Sequence, residues 1–263
     1  MNWIKADMSA QHALLRVTVP TQAALMADIS ARLGAGQGFS IATLNLDHVL
    51  KLRQQPAFRD AYLAQTHVTA DGNPIVWFSR LAGEDVSLVP GSELIIPVIE
   101  AAIARDVPIA MFGASQASLD ATAAALEARY GADRIKIAAK IAPPMGFDPT
   151  SAEADAYIAE LGASGAGVCF LALGAPKQEI FASRAQDKLP HMGFLSIGAG
   201  LDFISGHQTR APYLVRRLAL EWLWRLALSP KRLMGRYMGC FGLLPGLLGS
   251  ALKARRLRAK AAP

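Results

Sequence analysis

The sequence predicts an α/β fold in which a mostly parallel sheet is flanked by helices. Short apolar runs without polar alternation recur along the chain, and the clearest is Gly-Val-Cys-Phe-Leu-Ala-Leu at residues 167–173. Such runs are typical of strands that are buried on both faces. Predicted helices of ten or more residues separate these runs, which is the spacing of βαβ units. Gly174 then permits a tight turn, and Pro176 suits the start of the next helix.

The predicted elements alternate along most of the chain. A helix begins behind the capping residue Thr21 and carries Leu25, Ile29 and Leu33 at helical spacing. Strands are expected at residues 39–45, 67–72, 108–113, 135–141, 167–173 and 193–198. Helices are expected at 47–53, after Pro56, around Trp77, at 91–105, after the capping residue Ser115, at 151–163 and at 176–188. The glycines within residues 34–38 precede a strand instead of following one, so they indicate a helix end and a loop.

Polar side chains stand where several of these strands end. Thr43 and Asn45 close the first strand, Asp71 closes the second, and residues 177–179 (Lys-Gln-Glu) open the helix after the fifth. The carboxyl ends of parallel strands meet at one edge of a sheet, where open α/β proteins bind their ligands. The pattern therefore predicts a ligand site at this edge, although solvated polar residues at ordinary turns would give the same pattern.

The charges divide the chain into two parts. Residues 1–209 contain 15 lysines and arginines against 20 acidic residues, whereas residues 210–263 contain 12 against the single acid Glu221. The second part has too little apolar sequence for a core of its own, so we expect a basic appendage on a core at 1–209. Its charge predicts an anionic partner, which composition leaves open between nucleic acid, acidic lipid and a phosphorylated ligand.

The appendage is also amphipathic. Its charges stand beside the apolar residues Leu214, Leu218, Trp222, Trp224, Leu243, Leu244, Leu247 and Leu248. A basic segment of this kind lies in the interface of an anionic membrane. The longest uncharged stretch here, residues 237–252, has 16 residues interrupted by glycines, fewer than the roughly 20 apolar residues that span a bilayer. We therefore expect peripheral attachment.

Several classes of site are absent from the sequence. The five histidines are scattered, and neither an Asp-x-Asp pair nor a phosphate-binding loop occurs, so no metal and no cofactor is predicted. The first residues lack the apolar region of a signal peptide. Cys169 and Cys240 do not make a disulfide framework, which indicates a reducing, cytoplasmic setting.

A set of short stretches, in order, resembles the WecG/TagA/CpsF family of glycosyltransferases. The set covers residues 38–238, and its order makes it specific although each stretch alone is weak. The stretches are Thr43-Leu-Asn45, Ala70-Asp-Gly72 with Val76-Trp77, Gly91-Ser-Glu-Leu94, residues 173–179, residues 198–203, residues 206–212, and residues 220–226 with Pro230-Lys-Arg232 and Arg236-Tyr237.

The resemblance implies a Rossmann-like core and an inverting, metal-independent enzyme. Such enzymes move a hexose-type sugar from a UDP-sugar to a polyprenyl-diphosphate-linked sugar, at the cytoplasmic face of the bacterial inner membrane. They build wall teichoic acid linkage units, enterobacterial common antigen or exopolysaccharide. The implied partners are therefore the UDP-sugar donor, the lipid-linked acceptor and the anionic membrane surface, without nucleic acid; a homo-oligomer is left open.

The resemblance also assigns roles to individual residues. Asp71 matches the general base, and a carboxylate at a strand tip can take a proton from the acceptor hydroxyl. The other matches are Thr43, Asn45, Gly72 and Gln178 in the sugar and acceptor pocket, Asp202 near the nucleoside, and the tail arginines Arg225, Arg232 and Arg236. The arginines share one helical face if a single helix runs through Pro230.

Three positions depart from the family pattern. Where the family usually has Pro-Asp-Gly-x-Gly, this chain has Ala70-Asp-Gly-Asn-Pro74. Where an arginine usually precedes the Val-x-Gly-Ser-Asp segment, this chain has Leu88. In place of the usual paired arginines of the tail, it has Gly235-Arg236. The missing arginine leaves the donor and acceptor sugars undecided.

Two other classes of protein remain as alternatives. A nicotinamide-dependent oxidoreductase needs a glycine fingerprint after the first strand, where this chain has Thr43-Leu-Asn-Leu-Asp47. A nucleic-acid-binding protein would account for the basic tail, although not for its leucines and tryptophans.

Overall fold

Six strands form one parallel sheet in the part of the chain that the structure describes. The computed structural model describes residues 1–2, 15–206, 212, 215 and 221–261, except for the side chains of 225, 228, 232 and 261. The strands are β1 (Phe39–Leu44), β2 (His67–Ala70), β3 (Ile109–Gly113), β4 (Ile137–Ile141), β5 (Val168–Ala172) and β6 (Gly193–Ser196). Their spatial order is β2-β1-β6-β5-β3-β4, and every neighbouring pair is parallel. The predicted Rossmann-like α/β fold is therefore confirmed.

Helices connect these strands and continue beyond them. The first nine are α1 (Gln22–Gly34), α2 (Leu46–Gln54), α3 (Pro56–Leu63), α4 (Asn73–Leu81), α5 (Gly91–Ile103), α6 (Gln116–Tyr130), α7 (Ala152–Ala163), α8 (Lys177–Lys188) and α9 (Gly200–Ile204). The C-terminal helices are α10 (Glu221–Leu228) and α11 (Pro230–Ala261). The expected caps of α1 and α6 are confirmed, since the side chains of Thr21 and Ser115 accept the backbone N–H of Ala24 and Ser118. These hydrogen bonds satisfy N–H groups that have no partner inside the helix.

The two faces of the sheet bury different sets of helices. One face packs against α1, α5 and α6, whose buried side chains include Leu25, Ile95 and Leu126. The other face packs against α2, α3 and α4 at one end and against α7 and α8 at the other. Because both faces are covered, the inner strands are buried along nearly their whole length. The loops that follow the strands at the edges of the sheet are then the places where polar side chains can meet a ligand.

The C-terminal helix completes the core of the body. Leu243, Leu247 and Ala251 on α11 are buried in the cluster formed with α2, α3 and α4. The approach to α2 is close, because a Cβ added at Gly239 would lie 2.8 Å from Leu50 Cδ2. The expectation that Leu243 and Leu247 face a membrane is therefore wrong, since both contact the body instead.

The C-terminal helices also differ from the sequence prediction in length. Residues 252–260, which the sequence suggests as a short basic end, belong to the 32-residue helix α11, which continues through Pro245. The division at residues 209 and 210 stays a prediction. Among the described residues, no helix combines the length and the apolar character that crossing a bilayer requires.

Candidate functional site

The carboxyl ends of β1 and β2 bring Thr43 and Asp71 into contact. The two strands are neighbours in register, with Leu44 opposite Ala70, and the backbone N–H of Asp71 continues the ladder by donating to Leu44 O at 2.8 Å. Thr43 Oγ1 donates to Asp71 Oδ2 at 3.1 Å. Thr43 is buried, whereas Asp71 is partly exposed. The carboxylate of Asp71 is therefore oriented by the protein and still reachable by a ligand.

Asn45 and Gly72 lie beside this pair. Asn45 caps α2, because its Oδ1 accepts the backbone N–H of His48 at 3.0 Å. The NH2 group of Asn45 can then donate a hydrogen bond to a ligand. Gly72 precedes α4 with φ of 119°, a conformation that favours glycine, and its Cβ direction points within 3.7 Å of the Asn45 Cβ. The four predicted residues at 43, 45, 71 and 72 therefore converge.

The buried pair Tyr62 and His48 packs behind Thr43 and is hydrogen-bonded to its backbone. Tyr62 Oη donates to the carbonyl oxygen of Thr43 at 2.7 Å and lies 3.1 Å from His48 Nδ1. Burial lowers the pKa of His48 to about 4, so the imidazole is neutral at physiological pH and can donate its Nδ1–H to Tyr62. Burial, followed by the charges of Glu179 and Asp71, raises the pKa of Tyr62 well above its usual value. These residues were not predicted, since one lone histidine gives no signal in a sequence.

Gln178 joins the loop after β5 to the loop after β6. Its Nε2 donates to Glu179 Oε1 at 2.9 Å, and its Oε1 accepts the backbone N–H of Gly198 at 2.9 Å. Gln178 is only 3% exposed. Its amide is thus bound at both ends by the protein, directly beneath the carboxyl edge of the sheet.

Asp202 lies farther along the same edge, on α9. Its Oδ1 accepts a hydrogen bond of 2.7 Å from Ser118 Oγ, which belongs to the first turn of α6. Ser118 is buried, and Asp202 is partly exposed. The predicted residues of the core thus follow the ends of β2, β1, β6 and β5 along one edge, and direct contact within the set is found between Thr43 and Asp71.

Two cations meet a carboxylate at the start of α2. Asp47 Oδ2 is 2.8 Å from Lys51 Nζ, and Asp47 Oδ1 is 3.4 Å from Nε of Arg236 on α11. Lys51 Nζ also donates to the carbonyl oxygen of Ala175, in the loop after β5, at 3.1 Å. One of the predicted tail arginines, Arg236, is therefore held next to the carboxyl edge of the sheet. Lys51 was not predicted, because its sequence neighbours suggest an ordinary i,i+4 pair.

The other two predicted arginines, Arg225 and Arg232, have side chains that lie outside the described residues. Their backbones belong to α10 and α11, respectively. These helices are separate, since α10 ends at Leu228 and α11 begins at Pro230. A single helix through Pro230, the condition for a shared helical face, is therefore not formed.

Within residues 1–2, 15–206 and the described C-terminal positions, no three His, Cys, Asp or Glu side chains come together as a metal site. The loop after β1 is short and contains Asn45 in a capping role, so a glycine-rich turn for a dinucleotide is not present there.

Comparison with known protein families gives one match over nearly the whole chain. The model of the glycosyl transferase WecG/TagA/CpsF family matches residues 12–260. The matched range includes the carboxyl edge of the sheet and both C-terminal helices.

Proposed function

Because the chain belongs to the WecG/TagA/CpsF family of glycosyl transferases, we propose that it moves a hexose-type sugar from a UDP-sugar to a sugar carried on a polyprenyl diphosphate. The observation that carries this proposal is the carboxylate of Asp71, which Thr43 orients at the carboxyl edge of the sheet. Family membership supplies the reaction class, and we propose the donor, the acceptor and the stereochemistry.

The proposed reaction is a single displacement with inversion. The acceptor hydroxyl oxygen attacks the anomeric carbon of the donor sugar from the face opposite the diphosphate. Asp71 accepts the hydroxyl proton as the new C–O bond forms. The bond between the anomeric carbon and the phosphate oxygen breaks, and its electron pair leaves with UDP. Asn45 and Gly72 adjoin this carboxylate and are proposed to bind the sugars, together with Thr43 and Gln178.

The departing diphosphate needs positive charge. Lys51 and Arg236 both contact Asp47, near the loop after β5. We propose that the diphosphate binds beside these two cations. Arg225 and Arg232 are proposed to add to it from the C-terminal helices. Asp202 is proposed to contact the nucleoside, and Ser118 fixes its orientation. Cations placed before the reaction stabilise charge that develops in the transition state.

Sugar transfer should continue in the presence of EDTA. The sequence has no Asp-x-Asp pair to hold a metal under a sugar nucleotide, and the proposed cations are protein side chains. Initial rates would be measured after chelation and again after adding Mg²⁺ or Mn²⁺. A rate that disappears with EDTA and returns with either metal would show that the leaving group depends on a metal ion.

The outer surface of the C-terminal helices supports a peripheral membrane location. Trp222, Met238 and Phe241 are exposed, and the Trp222 ring lies 5.6 Å from the Phe241 ring in an edge-on arrangement. Exposed cations follow along α11, including Arg255 and Arg256. Apolar side chains next to cations are the pattern of a segment that lies in an anionic interface. The acceptor's prenyl chain would be confined to the same bilayer.

Substituting Asp for Met238 or Phe241 should weaken binding to vesicles of anionic lipid by about tenfold or more, because each change removes an apolar side chain worth roughly 1.5–3 kcal/mol on burial. Co-sedimentation with vesicles would measure the bound fraction. Met145→Asp is the matched control, since Met145 is fully exposed in the loop after β4. Equal binding of all three variants would mean that this surface does not meet the membrane.

The function itself is tested by incubating the protein with radiolabelled UDP-sugars and a synthetic prenyl-diphosphate sugar. UDP-glucose, UDP-glucuronate and UDP-N-acetylmannosamine would be compared, because Leu88 stands where the family usually has an arginine. Label should move to the lipid-linked acceptor with at least one donor. No transfer from any donor, together with reduction of a nicotinamide or retention on nucleic acid, would favour the other two classes of protein.

A further inference from the structure

Glu179 is a fully buried carboxyl group close to the candidate site. It lies in the first turn of α8 and is 0% exposed. Its Oε1 accepts from Gln178, while its Oε2 has no hydrogen-bond partner. Burying a carboxyl group with one unsatisfied oxygen is unfavourable for folding. A residue of this kind needs a reason beyond the stability of α8.

The hydrogen bonds of Gln178 give that reason. Its NH2 faces the carboxyl of Glu179, and its amide oxygen faces the N–H of Gly198. Turning the amide over would place two acceptors against each other at Glu179 and two donors against each other at Gly198. Glu179 and the Gly198 N–H therefore favour the same orientation of the Gln178 amide. That orientation is the one that binds the loop after β6.

The loop that Gln178 holds leads directly to Asp202. Gly198 has φ of 55°, and the backbone N–H of Gly200 donates to Ile197 O at 3.0 Å before α9 begins. Asp202 follows two residues later and is fixed by Ser118. A hydrogen-bonded route thus connects Glu179, Gln178 and the loop from 198 to 202. Loss of its first member would release the loop at the carboxyl edge.

We propose that Glu179 is a positioning residue for donor binding: through Gln178 it fixes the loop from Gly198 to Asp202. This inference rests on the proposed function, in which that loop meets the nucleoside part of the donor. Glu179 does not touch the substrate, because it is buried beneath the edge. Its effect is expected on the KM for the UDP-sugar more than on the proton transfer at Asp71.

The same geometry makes the position of the loop sensitive to pH. Burial raises the pKa of Glu179 to about 7, against the lowering effects of the Gln178 hydrogen bond, a hydrogen bond from its own backbone and the Lys51 charge. Lys51 on α2 and Tyr62 on α3 are charged and titratable groups near it, and Gln65, in the loop between α3 and β2, donates to its backbone oxygen at 3.3 Å. On the sheet side, β5 contributes the buried thiol of Cys169, and burial raises its pKa.

The direction of the pH effect follows from the two forms of the carboxyl. The ionised form accepts strongly from Gln178, whereas the protonated form accepts more weakly, and a proton on Oε1 would oppose the Gln178 NH2 as donor against donor. The loop should therefore loosen as the pH falls through about 7. We expect the KM for the UDP-sugar to rise below that pH in the wild type.

The experiment compares Glu179→Gln and Glu179→Leu with the wild type between about pH 6 and about pH 9. Glutamine can still accept from Gln178 but does not titrate, so its KM should stay within about threefold of the wild type at high pH and lose the pH dependence. Leucine cannot accept, and a misplaced binding loop should lower kcat/KM for the donor by roughly 10²-fold. Glu127→Gln, an exposed change on α6, is the matched control.

A second readout does not depend on activity. Amide hydrogen exchange at Gly198 should be slow in the wild type and in Glu179→Gln, and faster in Glu179→Leu. The proposal is overturned if Glu179→Leu keeps both the slow exchange and the wild-type KM, or if Glu179→Gln keeps the pH dependence of the KM. A wild type that transfers no sugar would instead refute the proposed function, and the exchange at Gly198 would still decide whether Glu179 holds the loop.

Discussion

Replacing Asp71 with asparagine should lower the turnover of sugar transfer by roughly 10²–10⁴-fold while leaving UDP binding largely intact. Asparagine has nearly the same shape, and its oxygen can accept the 3.1 Å hydrogen bond that Thr43 donates to Asp71. It cannot take a proton at neutral pH. The acceptor hydroxyl would then attack without a base, so the loss should fall on the chemical step and not on the binding of the nucleotide.

Single-turnover rates and calorimetric titration with UDP separate these two effects. Asp60→Asn is the matched control, because Asp60 is exposed on α3 and the change removes the same charge. It should leave both quantities unchanged. An Asp71→Asn protein that transfers sugar at nearly the wild-type rate would remove Asp71 from the role of base. The proton would then have to go to another group at this edge.

The sequence was enough to predict the elements of the core, since local signals determine them. Apolar runs marked the strands, and Thr21 and Ser115 marked helix starts. It was also enough to predict that Thr43 and Asp71 share an edge, because both follow parallel strands. The order of the strands was not predictable in the same way. That β6 lies between β1 and β5 depends on contacts between distant segments, which leave no periodic pattern.

The C-terminal helix and Glu179 show what else local patterns miss. Glycines and Pro245 suggested an interrupted segment, yet α11 is continuous, and burial of Leu243 and Leu247 against the body can stabilise a helix that propensity disfavours. Glu179 belongs to a polar triplet that suggested a solvated helix start. It is buried because α3 lies against α8, and Gln65, just after the end of α3, donates a hydrogen bond to the Glu179 backbone. Tertiary contacts decide both cases.

Replacing Arg225, Arg232 or Arg236 singly with alanine should lower turnover by roughly 10²–10³-fold. This is the usual loss when one preorganised group that stabilises transition-state charge is removed. The acceptor in this experiment is a water-soluble, short-chain prenyl-diphosphate sugar, so docking to a membrane no longer matters. Arg255→Ala is the matched control. It is exposed toward the far end of α11 and should change vesicle binding but not the turnover of the soluble acceptor.

Point variants test the arginines better than a truncation does. Removing residues 210–263 would take Leu243 and Leu247 out of the core that α2, α3 and α4 form. Each large buried side chain contributes about 2–5 kcal/mol to stability. A truncated chain could therefore lose activity through its stability alone, and its loss would say nothing about the arginines.

Arg236 needs one further comparison, because it has a structural partner as well as a proposed catalytic one. Its Nε lies 3.4 Å from Asp47, which ties α11 to α2. Asp47→Asn removes this ion pair and also the pair with Lys51. If Arg236 served only as that tie, Arg236→Ala would therefore lower turnover no more than Asp47→Asn does, and by a small factor, since exposed pairs are worth at most about 1 kcal/mol. If Arg236 stabilises the departing diphosphate, Arg236→Ala should cost far more than Asp47→Asn. Full activity of all three alanine variants on the soluble acceptor would mean that the arginines only anchor the protein. Lys51, whose Nζ donates to the loop after β5, would then become the first candidate for stabilising the departing diphosphate.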